Sequence, residues 1–290
     1  SYDATNNTGS GHSSSTTTWK NLDGTVNGTI NGATWGSNYL DFDGVNDWVN
    51  LGQMSFDKSI VTLDATISPD TIKVGSSSEE FMYIIGNVEV GGVGLALING
   101  KPAMEVYIKE LDTYRYATSP TALKAGEKVR ITGTYDGVKI RIYVNGTLMA
   151  ENTELATMGT PLSDTVMAIG CNPRGSSGIS EFFDGKIYSV KIADTIEWDV
   201  SEDGDESIMA WYEKSNSNGA LKAYIASENE IYANADSSYL FAYIGYGDKC
   251  TATEAITNIE LLNTSRVTNM GQMFREFGWQ AITSLDLGDN

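Results

Sequence analysis

The chain of 290 residues holds a single histidine, His12. That scarcity excludes most zinc centres and most chemistry that moves protons through an imidazole. Cysteine is nearly as rare: Cys171 and Cys250 are too few for a disulfide framework and read as buried thiols. Basic side chains number 19 against 38 acidic ones, and a net charge of −19 repels phosphate backbones and anionic lipid surfaces. Nucleic acid is thereby excluded as a partner. No apolar run approaches the ~18 residues of a membrane helix, so no membrane insertion is expected in this segment, and no signal peptide opens it. With 20% charged residues, 30 Gly and only 5 Pro, the composition fits neither a coiled coil nor a disordered chain.

What is present suits short strands and turns. Hydrophobic residues make up 41%, enough for a core, and the length accommodates two domains. In "YLDFDGVNDWVNLG", Leu40 and Phe42 alternate with Asp41 and Asp43, and Val49 and Leu51 alternate with Trp48 and Asn50. A period of two places one face in a core and the other in solvent. "SIVTLDATISP", "FMYIIGNV", "VGLALING", "PAMEVYIKEL" and "TYRYATSP" continue the pattern. In "EKVRITGTYDGVKIRIYVNGTLMAE", Val129, Ile131, Gly133 and Tyr135 share one face, while Val138, Ile140, Ile142 and Val144 turn inward after Asp136-Gly137. That dipeptide is a type I′ hairpin signal, and Asn145-Gly146 is a second turn. Strands recurring at this spacing predict a β-sandwich or jelly roll, with no helix-period segment before residue 200.

Three pieces, in this order, resemble the laminin G-like, concanavalin A-type jelly roll: "YLDFDGVNDWVNLG", "VRITGTYDGVKIRIYVNGTLMA" and "IGCNPRGSSGISEFFDGKIYSVKIAD". The likeness covers residues 1–199. Residues 200–290 are more acidic, with "ITNIEL" at 256–261 echoed by "ITSLDL" at 282–287, an offset of 26 residues. A period in the twenties marks a leucine-rich-type solenoid. The intervening "NTSRVTNMGQMFREFGWQ" resembles the BspA-type leucine-rich surface-protein repeat, and 205–245 resembles the N-terminal cap of such arrays. The resemblances imply a mainly β chain: a jelly-roll sandwich over 1–199, then an α/β solenoid start over 200–290, its array continuing past Asn290. Met270, Met273 and Phe274, at i, i+3, i+4, read as one helix face packed in the repeat core.

Some jelly rolls of this type are glucanases, which set carboxylates on one strand in a pattern like E-x-D-x-x-E, ~5 Å apart across the sugar bond. No such string occurs. Glu79-Glu80 lies in a Ser-rich loop, and Asp41 and Asp43 read as solvating an early edge strand. The expectation is therefore a protein that is not an enzyme. The resemblance also implies one structural Ca²⁺ at a sandwich edge, with Asp3, Asp43, Asp47 and Asp184 as candidate ligands, although the same residues serve as turn formers. Sugar recognition uses exposed aromatics, and Tyr107, Tyr114, Tyr116 and Tyr143 are the candidates. Trp19, Trp35 and Trp48 read as core or lid packing, and His12 as a solvated loop residue. The expected role is adhesion: an extracellular protein, on a bacterial surface or secreted, whose partner is a glycan or a cell-surface protein. The alternative is a receptor-binding or structural part of a phage tail.

Overall fold

The computed structural model describes residues 1–24, 26–54, 60–75, 80–153, 158–175, 178–199, 208–214, 221–227, 229–242 and 261–277. Its first compact unit is Ser1–Glu197 and its second Trp198–Asn290. The first unit opens with β1 (Tyr2–Asp3), β2 (Thr18–Trp19), β3 (Gly28–Asn31), β4 (Thr34–Trp35), β5 (Leu40–Asp43) and β6 (Trp48–Asn50). It continues through β7 (Val61–Pro69), β8 (Phe81–Gly86), β9 (Val93–Ile98), β10 (Lys101–Ile108), β11 (Thr113–Thr118) and β12 (Val129–Tyr135). It closes with β13 (Lys139–Val144), β14 (Thr147–Thr153), β15 (Ala168–Ile169), β16 (Asn172–Pro173), β17 (Ile179–Ser180) and β18 (Asp184–Ala193).

These strands form two sheets and a small hairpin. The first sheet runs β14-β13-β12-β7-β18-β5-β4, with β1 also on β18. The second runs β11-β10-β9-β8-β15-β6-β3-β2, and β16 pairs with β17. First and last strands meet: Tyr2 lies opposite Val190. β5 is not an edge strand, however, because β4 covers its outer side.

Alternation builds the core. Leu63, Ala65 and Ile67 of β7 and Ile131 of β12 meet Met82 and Ile84 of β8, Leu95 and Leu97 of β9, and Met104 and Val106 of β10. Each fully buried aliphatic side chain contributes roughly 1.5–3 kcal/mol. Trp19 is fully buried and lies edge-on to Tyr2 and to Trp35. His12 is exposed, but it is not merely solvated: Nδ1 lies 2.8 Å from the Ala4 carbonyl oxygen and the ring stands edge-on to Trp35. Cys171 is free and buried, and burial pushes its thiol up to about 12. Cys250 lies outside the described residues.

The hairpins differ from one another. Asn145 and Gly146 both have positive φ (48° and 76°), the type I′ geometry that matches strand twist. Asp136-Gly137 departs from that expectation, since only Gly137 (φ 83°) is left-handed. Asp136 Oδ1 instead accepts from the Val138 and Lys139 backbone N–H groups, and Val138 sits exposed on the turn rather than inward.

β19 (Ile196–Asp199) carries the chain from the first unit into the second, where β20 (Met209–Lys214) pairs with β21 (Leu221–Ala226). β22 (Ile231–Tyr232) pairs in parallel with β23 (Leu262–Asn263). Beyond that pair the two segments keep stacking: Asp236 bridges Asn269, and Phe241 lies flat on Phe274 with ring centroids 5.4 Å apart. Each segment repeats the same turn. Asp236 Oδ1 accepts from Ser238 N and Asn269 Oδ1 from Gly271 N, and Tyr239 and Gln272 are both left-handed (φ 61° and 57°).

Stacked positions are 31 residues apart at Ile231 and Leu262 and 33 apart at Asp236 and Asn269. The "ITNIEL" and "ITSLDL" strings fall outside the described residues apart from Leu261. The helix expected across Met270, Met273 and Phe274 does not form. Among the described residues no α-helix occurs, and 271–277 form successive turns. The positive φ of Gln272 and Glu276 interrupts a helical path, so Met273 is buried while Met270 is half exposed.

Candidate functional site

The second sheet's outer face carries an aromatic cluster around a buried carboxyl. On β10, Met104, Val106 and Ile108 enter the core, so Glu105 and Tyr107 face outward. On the edge strand β11, Tyr116 stands opposite Glu105 and Tyr114 opposite Tyr107. On β8, Met82 and Ile84 point inward, which turns Phe81 and Tyr83 outward. β9 lies between β8 and β10 and presents Gly94 and Ala96 on that face. A Cβ at Gly94 would come 2.7 Å from Tyr83 Cε1, so the glycine makes room for the Tyr83 ring to lie across β9 and reach Glu105.

Glu105 is only 3% exposed. The Tyr83 hydroxyl donates to its Oε2, and the Tyr116 hydroxyl donates to its Oε1 at 2.8 Å. Burial, reinforced by the Glu181 carboxylate and opposed by the two tyrosine hydroxyls and Arg174, pushes the Glu105 carboxyl up to about 7. Burial and the adjacent Glu105 hold the Tyr83 phenol well above its usual range.

The short hairpin of β16 and β17 supplies the neighbouring charges. Tyr83 N donates to the Glu181 carbonyl oxygen at 2.9 Å, which brings the Glu181 backbone to β8. Glu181 accepts from Asn172 Nδ2 at 2.7 Å and from Arg174 Nη2 at 3.0 Å. The rings above the carboxyl remain partly open. Phe81 stacks on Tyr83 at 6.1 Å, and Tyr116 lies tilted 6.4 Å from Phe81. Phe81, Tyr114 and Tyr116 are half-buried, so each keeps ring surface facing outward.

Three of the four candidate tyrosines therefore come together. Tyr107 is nearly buried, donates to Asp112 and stands edge-on to Tyr114 at 5.0 Å, so it supports the row rather than lining its surface. The Asp112 carboxylate pushes its phenol up to about 12. Tyr143 does not belong to the group. It lies on β13 of the other sheet, opposite Thr132, because Ile140 and Ile142 take the inward positions of that strand.

Glu105, Phe81, Tyr83 and Glu181 are not among the sequence-derived candidates. Glu105 carries one local signal, a lone acid between core residues Met104 and Val106. Its companions are distant in sequence, and only the strand order brings them together.

The four candidate calcium ligands divide. Asp43 and Asp184 stand opposite each other on β5 and β18, and Asp47 is beside them, its Oδ2 accepting from Asp43 N at 3.0 Å. Asp3 is elsewhere, opposite Ser189 near the other end of β18. One oxygen of each of the four already accepts a hydrogen bond. Asp3 Oδ1 accepts from Thr5 N at 2.6 Å, Asp43 Oδ1 from Val45 N at 2.8 Å, and Asp184 Oδ2 from Thr71 Oγ1 at 2.6 Å. The Val45 N–H holds the Asp43 carboxyl below its ordinary range, whereas burial raises that of Asp47. The Lys186 ammonium, 2.6 Å from Asp70 and 4.0 Å from Asp41, brings positive charge to this edge. Among the described residues no group of three or more His, Cys, Asp or Glu is placed to hold a metal ion, and Asp3 stands apart from Asp43, Asp47 and Asp184, so the four aspartates do not form one calcium site.

Residues 43–197 match the family model of the concanavalin A-like lectin/glucanases superfamily. No curated protein matches the sequence. Among solved structures, the native heptameric SAP-like pentraxin of Limulus polyphemus aligns at 12% identity over 58% of this chain and 80% of its own, with a TM-score of 0.42. Domain 4 of AbnA, a GH43 extracellular arabinanase of Geobacillus stearothermophilus solved with arabinotriose, aligns at 12% identity over 57% and 75%, with a TM-score of 0.40. The CBM40 of the Ruminococcus gnavus IT-sialidase, bound to α2,3-sialyllactose, aligns at 15% identity over 50% and 79%, with a TM-score of 0.38. The family match spans more than half of the sequence, and the chain belongs to the concanavalin A-like lectin/glucanases superfamily.

Proposed function

We propose that this jelly roll is a non-catalytic glycan-recognition module. Sugar rings lie on the outer face of the second sheet, against Phe81, Tyr114 and Tyr116. The observation that carries this reading is the row of half-buried rings on three neighbouring residues of one sheet face, backed by a desolvated carboxyl. Apolar faces of pyranoses stack on such rings, and polar groups at the rim fix orientation. Arg174 and Glu181 provide those polar groups. Hydrolysis would need a proton donor and a second carboxylate free to engage the sugar. Both Glu105 oxygens are engaged by tyrosines, and Glu181 is held by Asn172 and Arg174, which favours binding over cleavage.

The module belongs to an extracellular adhesion protein of a bacterial surface, with a glycan or a surface protein as partner. Its second unit is the start of a BspA-type repeat array that acts as a stalk or second binding face. The repeated turns at Asp236 and Asn269 support a stacked-coil array, although their spacing differs from the sequence period. A glycan array probed with the full chain tests the reading. A defined set of hits is expected, lost in Phe81→Ala and Tyr116→Ala while Tyr143→Ala keeps it. Hits that survive both of the first two substitutions would refute this face as the site.

A further inference from the structure

We propose that Glu105 is the positioning residue of this recognition face: as a carboxylate it holds the Tyr116 ring where a sugar stacks, and on taking up a proton it releases that ring, so glycan binding is coupled to pH. The inference rests on the glycan-recognition reading and adds a regulation of the same site.

The geometry is a carboxyl between two phenols. Tyr83 donates to one Glu105 oxygen and Tyr116 to the other. A carboxylate only accepts, so it takes both bonds, and each is charge-assisted. A carboxylic acid must also place its own O–H, and it meets two hydroxyls already aimed at it. One phenol then has to turn its proton outward, and the charge-assisted bond that held it is exchanged for a weaker neutral one, which loosens that ring. Tyr83 is 2% exposed, wedged over Gly94 and stacked on Phe81. Tyr116 is half-buried on the edge strand. Tyr116 is therefore the side that rearranges, and it is also the ring beside Phe81.

The groups facing Glu105 come from every element around it. β8 contributes Tyr83, β11 contributes Tyr116 and Tyr114, and β9 presents Gly94 and Ala96. The hairpin contributes Glu181, which opposes ionisation, and Arg174, which favours it. Burial dominates, and the carboxyl titrates at about 7. About nine-tenths of the protein then carries the carboxylate at pH 8 and about one-tenth at pH 6. If only that form holds Tyr116 for binding, affinity falls about tenfold between them.

The test uses the full chain with tyrosines ¹³C-labelled at Cζ, titrated from pH 5 to 9 by NMR, with the Tyr116 signal assigned from Tyr116→Phe. A Tyr116 step near pH 7 is expected in the wild type and none in Glu105→Gln. Cellotriose, laminaritriose, arabinotriose and 3′-sialyllactose are then titrated calorimetrically at pH 6 and pH 8. Each sugar that binds is expected to bind about tenfold more weakly at pH 6, and equally at both pH values in Glu105→Gln. Should that variant fail to fold, Tyr116→Phe, which removes only the hydroxyl held by Glu105, must flatten the binding profile. A missing Tyr116 step, a step that persists in Glu105→Gln, or a pH-independent wild-type affinity overturns the proposal. A Tyr116 step with none of the four sugars bound identifies the failure as that of the glycan reading, and the coupling falls with it.

Discussion

Replacing Glu105 by Gln should change how the stability of the first unit depends on pH. The carboxyl titrates at 4.5 in an unfolded chain and at about 7 here. Between those values the folded protein holds a proton that the unfolded chain has released. The group's contribution is thus complete below about pH 4.5, declines as pH rises, and is lost above about 7. At about 1.36 kcal/mol per pH unit the full loss is about 3 kcal/mol, most of which falls between pH 5 and pH 8. Gln has no proton to lose and keeps a group of similar shape between Tyr83 and Tyr116. The stability of Glu105→Gln minus that of the wild type should therefore rise by roughly 2–3 kcal/mol from pH 5 to pH 8. Other titrating carboxyls, including buried Asp64 and Asp47, cancel in that difference. Denaturant-dependent hydrogen exchange in the full chain, read on amides of β9 and β10, reports on this unit alone. A difference that moves by less than about 1 kcal/mol would refute the claim that burial governs this carboxyl.

Three further outcomes are expected. Asp64 is buried with Arg130 Nε at 2.9 Å and the Thr132 hydroxyl bonded to the same oxygen, so Asp64→Ala should cost about 3 kcal/mol in urea unfolding; a loss below about 1 kcal/mol would count against a buried ion pair. Trp19→Ala, at a fully buried ring between Tyr2 and Trp35, should cost about 4 kcal/mol, checked by the same melt. Calcium at 100-fold excess over its dissociation constant would add about 2.7 kcal/mol to a protein that binds it. The engaged oxygens of Asp3, Asp43 and Asp184 predict instead that CaCl₂ and EDTA leave the melting temperature within about 1 °C of each other; a larger separation would show that those side chains reorganise around the ion.

Local periodicity carried much of the first unit. Val129, Ile131 and Tyr135 are buried and Arg130 and Thr132 are not, as alternation requires, because residues two apart share a face wherever one side of a sheet is dry. The turn after Asp136 escaped that logic. Its geometry depends on which backbone N–H groups the Asp136 side chain captures, and a dipeptide does not specify this. The site was legible only in part. Tyr114 and Tyr116 alternate with Arg115 and could be placed on one face. The pairing of Tyr116 with Glu105 depends on the β10–β11 register, and that of Tyr83 with Glu105 on the order β8-β9-β10. The spacing of Met270, Met273 and Phe274 suggested a helix, and two left-handed residues in the same stretch defeated it.

The two outer faces differ in what a sugar laid on them would meet. On the first sheet the polar groups are spent on each other: Asp64 with Arg130, Asp136 with Arg141, Glu151 with Lys139, and Asp70 with Lys186. A sugar laid there would have to break ion pairs, and the rings on that side are themselves engaged: Tyr188 lies edge-on to Tyr39 and under the Lys128 ammonium, while Tyr143 stands apart from the clustered tyrosines. On the second sheet the order is reversed. The charge is buried, the rings lie above it, and the two hydroxyls that satisfy the carboxyl belong to the aromatic layer itself. A stacking ligand therefore meets apolar surface without desolvating an exposed ion, which is where the largest cost of binding on a polar sheet would arise. The same arrangement makes the buried carboxyl sensitive to anything that moves Tyr116. On the proposed reading, stacking and protonation meet at Tyr116 because the fold places the acid beneath the aromatic rings rather than beside them.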